Sequence, residues 1–400
     1  MFLALPTELA HEVANNLDLP SLLALRTLST GTYETVSKVL CDDRRLLAAH
    51  YVADTDVLWE VLQEHEALVG GRAGLAFVMR DRRILPNHMD VFVGSRRALD
   101  LEDCLLNEEK MGVTRATIAD LTLSGTIRNN FDGNAEQDGA SGERNPGRED
   151  IASDEEADVG AGEADNDDED EPNALDDGSS DEDGEYASMQ SIDNITRRTV
   201  LRTGDNRFLV VHHCVSDSPI HAICAATSTC LINFVGAQTF GCGYPALTLR
   251  RQSLVRPSMC NTEEQDAELD KLQVTHGFRP GRYAGDFEQY PNVAVAEDCE
   301  TYPCTRWMFL CPLQARFFGD HGSLTGIFDP LRTSEESLRN SRCAPYGVTA
   351  VWRFYVGDWP CDGRCEERDP LLAMGVQNMV ALIIQERSAF QYDFVGRQSL

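Results

Sequence analysis

Residues 87–94, with the sequence Asn-His-Met-Asp-Val-Phe-Val-Gly, are the stretch that decides the fold. Val91, Phe92 and Val93 are β-branched or aromatic, and Gly94 closes the run. This composition predicts a β-strand that is entered from a turn. Helical patterns precede and follow this strand, which is typical of an α/β domain.

The elements around this strand are assigned from apolar periodicity and turn residues. Helices are predicted over residues 57–68, 73–79, 99–109, 220–232 and 260–282. The first of them is expected to end at Gly70-Gly71. Further strands are predicted at residues 118–123, 199–201 and 208–211, the last two joined as a hairpin at Gly204-Asp205-Asn206.

The first 50 residues have the pattern of a compact helical unit. Leu9, Val13 and Leu17 recur at the spacing of one helix face, and Pro6 suits the first turn. Three helices this short bury little surface by themselves, so the unit needs a neighbour to cover its apolar face. The second and third helices are predicted from two further sets of apolar positions, Leu22, Leu25 and Leu28, and then Tyr33, Val36, Val39 and Leu40.

The net charge of −31 is concentrated in one internal segment. Between Asp132 and Glu185 there are 23 acidic and 2 basic residues, a net charge of −21. Residues 132–187 also have almost no large apolar side chains, so they cannot bury enough surface to offset chain entropy. We therefore predict a disordered acidic insert that interrupts one α/β domain formed by residues 51–131 and 188–400.

Composition and charge exclude several classes of function. A net charge of −31 argues against general nucleic-acid binding, which needs a basic surface. No run approaches 18 apolar residues, so no membrane span is expected, and the first residues lack the features of a signal peptide. With 13 cysteines and no export signal, mostly buried thiols in the cytoplasm or nucleus are expected.

The N-terminal unit resembles an F-box. The residues that carry the resemblance are Leu5-Pro6-Thr7-Glu8-Leu9, followed by apolar residues at helical spacing up to Leu28-Ser29. The match as a whole covers roughly 45 residues. Thr30-Gly31-Thr32 departs from the basic-aromatic stretch that usually follows in this family. The resemblance implies docking on the Skp-type adaptor of cullin-based ubiquitin ligases. The residues expected to contact that adaptor are Leu5, Pro6, Leu9, Val13, Leu17, Leu22, Leu25 and Leu28.

A wider resemblance covers most of the chain outside the acidic insert. Pro86-Asn87-His88-Met89-Asp90-Val91-Phe92-Val93 is similar to a segment of a family of mushroom-type fungal proteins, many of which begin with an F-box. Further similar segments begin at Val215, Cys230, Gly243 and Cys311. This resemblance implies an α+β fold: an F-box-like unit over residues 1–50 and a degenerate nucleotidyltransferase-like domain that contains the acidic insert.

The same segment suggests a vestigial nucleotide site at Gly70, Gly71, His88 and Asp90. Nucleotidyltransferases place a glycine turn before a strand with two carboxylates, and a third carboxylate on a neighbouring strand, to hold two Mg²⁺ ions. Asp90 fits the second carboxylate, but His88 occupies the first position and is a poor Mg²⁺ ligand. Because no acidic residue stands near Leu209, where the third is expected, an active enzyme is not predicted.

Two cysteine-based sites have weaker support. Cys299, Cys304 and Cys311 lie in a turn-rich region, but their spacing differs from the usual zinc knuckle, so buried thiols are preferred over a zinc site. His212 and His213 precede Cys214, yet adjacent strand residues point to opposite faces and cannot both serve one Cys–His site. No cofactor is predicted.

The sequence therefore favours a non-enzymatic adaptor that recruits an unknown protein substrate to a ubiquitin ligase through residues 5–45. A nucleotide-binding or nucleotidyltransferase-like protein built on Gly70, Gly71 and Asp90 is one alternative. An acidic chaperone that binds basic proteins through residues 132–187 is another, because long acidic runs attract basic partners.

Overall fold

A mixed eight-stranded sheet organises the α/β part of the chain in the computed structural model. The structure describes residues 6–107, 111–117, 120, 194–256, 263–290, 309–312, 314–328 and 350–354. All of these residues fall in one compact unit. The predicted acidic insert, residues 132–187, lies outside the described residues, as does most of the strand predicted at 118–123.

The chain alternates helices and strands over its described part. The α-helices are α1 (Thr7–Asn15), α2 (Leu19–Arg26), α3 (Thr30–Ala48), α4 (Thr55–Glu64), α5 (Gly71–Met79), α6 (Ala98–Asn107), α7 (Ile220–Cys224), α8 (Pro245–Thr248) and α9 (Glu263–His276). The strands are β1 (Leu68–Val69), β2 (His88–Val93), β3 (Thr114–Ala116), β4 (Ile195–Arg202), β5 (Phe208–Cys214), β6 (Asn233–Val235), β7 (Thr239–Cys242), β8 (Gln252–Leu254), β9 (Arg279–Gly281) and β10 (Leu324–Ile327). This composition is that of an α+β protein.

The strand order in the large sheet is β10-β7-β6-β1-β2-β5-β4-β3. The central pair β2 and β5 is parallel, and the other neighbouring pairs of this sheet are antiparallel. The parallel pairing sets Asp90 opposite Val210 and Phe92 opposite His212. A separate parallel pair is formed by β8 and β9.

Local capping fixes where the N-terminal helices begin. The side chain of Asp18 accepts a hydrogen bond from the Ser21 amide at 2.9 Å, so α2 begins at Leu19 and Pro20 falls in its first turn. The predicted start near Ser21 is thus two residues late. Ser29 caps α3 in the same way, through a reciprocal pair of hydrogen bonds with Thr32.

The three N-terminal helices share a core with the sheet. Leu22, Val36 and Leu40 belong to the same buried cluster as Val91 of β2 and Leu209 of β5. The inward faces of α2 and α3 are therefore covered by other parts of the chain.

Two arginines, the buried Arg26 and the half-buried Arg80, connect the N-terminal helices to other parts of the chain. Arg26 donates hydrogen bonds to Ser37 Oγ at 2.7 Å and to the carbonyl oxygen of Phe328 at 2.8 Å. Arg80, at the end of α5, donates to the carbonyl oxygen of Ala14 at 2.9 Å and pairs with Asp43. Each arginine therefore joins α3 to a second part of the chain, Arg26 through Ser37 and the carbonyl of Phe328, and Arg80 through Asp43 and the carbonyl of Ala14.

Several element boundaries differ from the predictions. The helix expected over residues 57–68 ends at Glu64, because Leu68 and Val69 pair with Phe92 and Val91 as strand β1. The helix expected over residues 220–232 ends at Cys224, and residues 233–235 instead join the sheet as β6. At Leu68, tertiary strand pairing overrides a local apolar pattern, whereas the second predicted helix gives way to a 3₁₀ turn at Thr229–Leu231 before the strand begins. No helix within the described ranges has the length and apolar character needed to cross a membrane.

Candidate functional site

The predicted nucleotide-site residues meet at the start of α5. The amide of Gly70 donates a hydrogen bond to the backbone carbonyl of Asp90 at 3.0 Å. Gly71 has a φ of +56°, and a Cβ built on it would overlap a carboxylate oxygen of Asp90. Only glycine fits this backbone without strain, so the Gly70-Gly71 turn is shaped by the close approach of Asp90.

Two histidines hold the carboxylate of Asp90. His212 Nε2 lies 2.8 Å from Asp90 Oδ1, and His88 Nε2 lies 3.6 Å from Oδ2. His88 lies two residues before Asp90 on β2. His212 lies on β5, and the parallel pairing of β5 with β2 brings it next to Asp90. The ring of His212 also stacks on Phe92, with centroids 4.5 Å apart.

Sequence reasoning missed His212 as a member of this cluster. The third functional position was expected near Leu209 on the neighbouring strand, and the structure places His212 three residues further along that strand. The usable signal was the alternation of β5, which puts Val210 and His212 on the same face. Without knowing that β2 and β5 pair in parallel, the sequence could not set their register.

Electrostatics keep the Asp90 carboxylate ionised and the His212 ring neutral. Burial by itself would raise the pKa of Asp90, but His88, the hydrogen bond with His212 and the charge of Arg198 outweigh it and hold that pKa below its usual value. Burial lowers the pKa of His212, and Asp90 only partly offsets this effect. A neutral His212 therefore donates from Nε2 to Asp90, which leaves Nδ1 as an unprotonated acceptor.

This arrangement is poorly suited to two-metal phosphoryl chemistry. One oxygen of the Asp90 carboxylate is hydrogen-bonded to His212, and His88 lies 3.6 Å from the other. The His212 Nδ1 atom has no hydrogen-bond partner in the described part of the chain. Over those same residues, no group of three His, Cys, Asp or Glu side chains is placed to hold a metal ion. Mg²⁺ needs several hard oxygen ligands, and this cluster supplies one carboxylate.

A second buried polar cluster lies on the opposite face of the sheet. His213, the neighbour of His212, contacts Glu102 of α6, and Thr199 of β4 donates to the same carboxylate. Arg197 lies 3.5 Å from Glu102. This agrees with the expectation that adjacent strand residues serve opposite faces. It ties α6 to the sheet and separates His213 from the Asp90 cluster.

Several of the described cysteines are buried thiols. Burial raises the pKa of Cys214 to about 12, and that of Cys242 also to about 12. The Cys214 thiol lies 3.8 Å from the backbone oxygen of His212, and this backbone contact lends no support to the Cys–His alternative. Cys311 is buried, while Cys299 and Cys304 lie outside the described residues.

The predicted partner-binding residues divide into exposed and buried sets. Leu9, Val13 and Leu28 are 48%, 41% and 67% exposed, which is high for such side chains. Leu22 and Leu25 are buried in the core, so the expectation that they present a binding surface is wrong. They face inward because α2 packs against α3. Leu17 is half-buried, Pro6 is exposed as the N-cap of α1, and Leu5 lies outside the described residues.

Comparison with known proteins leaves the family of this chain open. No protein-family model matches the sequence, and no curated protein or solved structure gives a match.

Proposed function

We propose that this protein is a non-enzymatic adaptor of the F-box type, which recruits a protein substrate to a cullin-based ubiquitin ligase. The proposal rests on the resemblance of residues 5–45 to an F-box and on one structural observation. Leu9 and Val13 stand one helical turn apart on α1 and remain exposed, while Ala10 and Ala14 on the same helix are buried. The expected partner of this apolar face is a Skp-type adaptor, in the cytoplasm or nucleus.

The geometry of α1 supports a role in docking. Residues four apart lie on the same face of a helix, so Leu9 and Val13 form one apolar stripe. Leu28, just after α2, is also exposed. An exposed apolar stripe costs solubility and is retained where a partner covers it.

The Asp90 cluster supports a non-catalytic α/β domain. Its one carboxylate is held by His88 and His212, and a nucleotidyltransferase would need that oxygen for metal. In this proposal the N-terminal helices bind the Skp-type adaptor, and the α/β domain selects the substrate. An acidic chaperone acting through residues 132–187 is the competing function.

The test measures binding of the full chain to the host's Skp-type adaptor by calorimetry. Leu9 and Val13 are already about half buried, so covering the rest of each side chain is worth about 1 kcal/mol. Leu9→Ser with Val13→Ser should weaken binding by roughly 30-fold. Leu99→Ser on α6 is the matched control, because Leu99 is 61% exposed and lies outside the N-terminal helices.

Binding by the wild-type chain and the Leu99→Ser variant, together with weak binding by the double variant, would support the adaptor. If the folded wild-type chain does not bind, or the double variant binds as tightly as the control, the proposal fails. The acidic chaperone would then be favoured if the full chain binds basic proteins and deletion of residues 132–187 abolishes that binding.

A further inference from the structure

The last turns of helix α9 contact the domain through buried side chains. Among its side chains that the structure describes, Leu272 and His276 are buried, whereas Val274 is 84% exposed. Leu272 packs into a small apolar cluster with Leu75 of α5 and Phe278. Leu272 and His276 are therefore the buried contacts that hold these last turns in the described part of the helix.

His276 is held as a hydrogen-bond acceptor by a buried arginine. Arg72 Nη2 lies 3.0 Å from His276 Nε2 and 3.0 Å from the carbonyl oxygen of Ile84. A guanidinium only donates hydrogen bonds, so Nε2 must carry a lone pair and the proton of the ring must be on Nδ1. The contact therefore exists only while the imidazole is neutral.

The charges around His276 disfavour its protonation. Arg72 on α5, Arg251 before β8 and Lys271 on α9 itself are cationic, and Asp81 is the anion that opposes them. Arg251 also donates to the carbonyl oxygen of His276 at 2.5 Å and pairs with Asp81 at 2.7 Å, so the charge of Asp81 is already shared. Burial, followed by Arg72 and Arg251, lowers the pKa of His276.

We propose that protonation of His276 releases α9 from α5, so that mild acid uncovers the apolar cluster beneath Leu272. A protonated Nε2 would direct an N–H at the guanidinium of Arg72 and place like charges 3.0 Å apart. Release of the helix relieves this repulsion by letting the ring enter water. The apolar surface exposed in this way includes Leu75, Ile84 and Leu231.

The sign and size of the pH effect follow from linkage. The pKa of His276 is lower when α9 is docked on the domain than when the helix is released into water. Docking is therefore favoured above about pH 6.5, where the ring is neutral in both states. As the pH falls below that value, the released state binds the additional proton. The opening constant of α9 should then rise by up to about tenfold per pH unit, until the pKa of the docked state is reached.

The test is amide hydrogen exchange of the full chain between pH 5.5 and 8, corrected for the intrinsic pH dependence of exchange. The opening constant of the last turns of α9 should rise below pH 6.5, while the amides of α3 do not change in parallel. His276→Gln keeps a neutral acceptor for Arg72 and removes the titration, so its α9 amides should show no such rise.

The proposal is overturned if the opening constant of α9 in the wild-type chain does not change with pH. It is also overturned if that constant rises equally in His276→Gln. Titration of the His276 ring by nuclear magnetic resonance in the wild-type chain gives a readout that needs no variant. A pKa at or above the ordinary value for histidine would also refute the mechanism.

Discussion

The ion pair between Arg316 and Asp320 allows a quantitative test of how the C-terminal part of the fold is held. Both side chains are fully buried, with Arg316 Nε 2.5 Å from Asp320 Oδ2 and Nη2 3.0 Å from Oδ1. Arg316 Nη2 also donates to the carbonyl oxygen of Gly243 at 2.8 Å, and the guanidinium lies over the ring of Tyr244 at 4.6 Å. Burial alone would lower the pKa of Arg316, but Asp320 outweighs burial and raises that pKa, so the guanidinium stays charged.

Substitution Arg316→Met should lower the free energy of unfolding by about 3–5 kcal/mol, because it leaves the carboxylate of Asp320 buried without its cation. The same change at Arg45 is the matched control. Arg45 and Asp56 form an exposed pair, with side chains 55% and 64% accessible, so Arg45→Met should cost under about 1 kcal/mol. Urea unfolding followed by tryptophan fluorescence measures both.

A double variant separates the charge from the packing. Adding Asp320→Asn to Arg316→Met removes the uncompensated charge and keeps an acceptor for the Gly322 amide, which donates to Asp320 at 3.0 Å. We expect the double variant to recover about 1–2 kcal/mol of the loss. A loss under about 1 kcal/mol in Arg316→Met, or a double variant less stable than the single one, would refute this reasoning.

Two further predictions concern the site and its neighbouring thiol. Gly71→Ala should lower the free energy of unfolding in urea by about 2 kcal/mol, because the left-handed backbone and the close approach of Asp90 both exclude a Cβ. Gly204→Ala is the control and should be close to neutral, because a Cβ at Gly204 would have no atom within 4 Å. Equal losses in the two variants would contradict the prediction. At pH 8, N-ethylmaleimide should modify Cys214 far more slowly than the half-buried Cys41, because burial raises the pKa of Cys214 to about 12. Peptide mass spectrometry measures both rates, and equal rates would contradict the prediction.

Much of the secondary structure could be predicted because its signals are local. The strand at residues 88–93 follows from a run of β-branched and aromatic residues, and the hairpin of β4 and β5 from the turn between them. Helices α1, α3, α5 and α6 follow from apolar periodicity. At Leu68 the local apolar pattern predicted a continuation of helix α4, but the residue pairs with Phe92 as part of strand β1.

The candidate site was predictable only in part. Gly70, Gly71, His88 and Asp90 could be grouped because they belong to one short segment of chain. His212 is 122 residues from Asp90, and its place in the cluster depends on the register of a parallel strand pair. Register is set by the packing of whole elements, which no short pattern specifies.

The sequence by itself determined helices α1, α3, α5 and α6, strand β2 and the β4–β5 hairpin, together with the concentration of acidic charge in one segment and the shortage of carboxylates for metal chemistry. Each of these depends on residue identity and short-range spacing alone. Only the tertiary structure decided that Leu22 is buried while Leu9 is exposed, and that Arg316 and Asp320 form a buried ion pair beneath Tyr244. Burial depends on which distant elements pack against a residue, and that choice is made by the free energy of the whole fold.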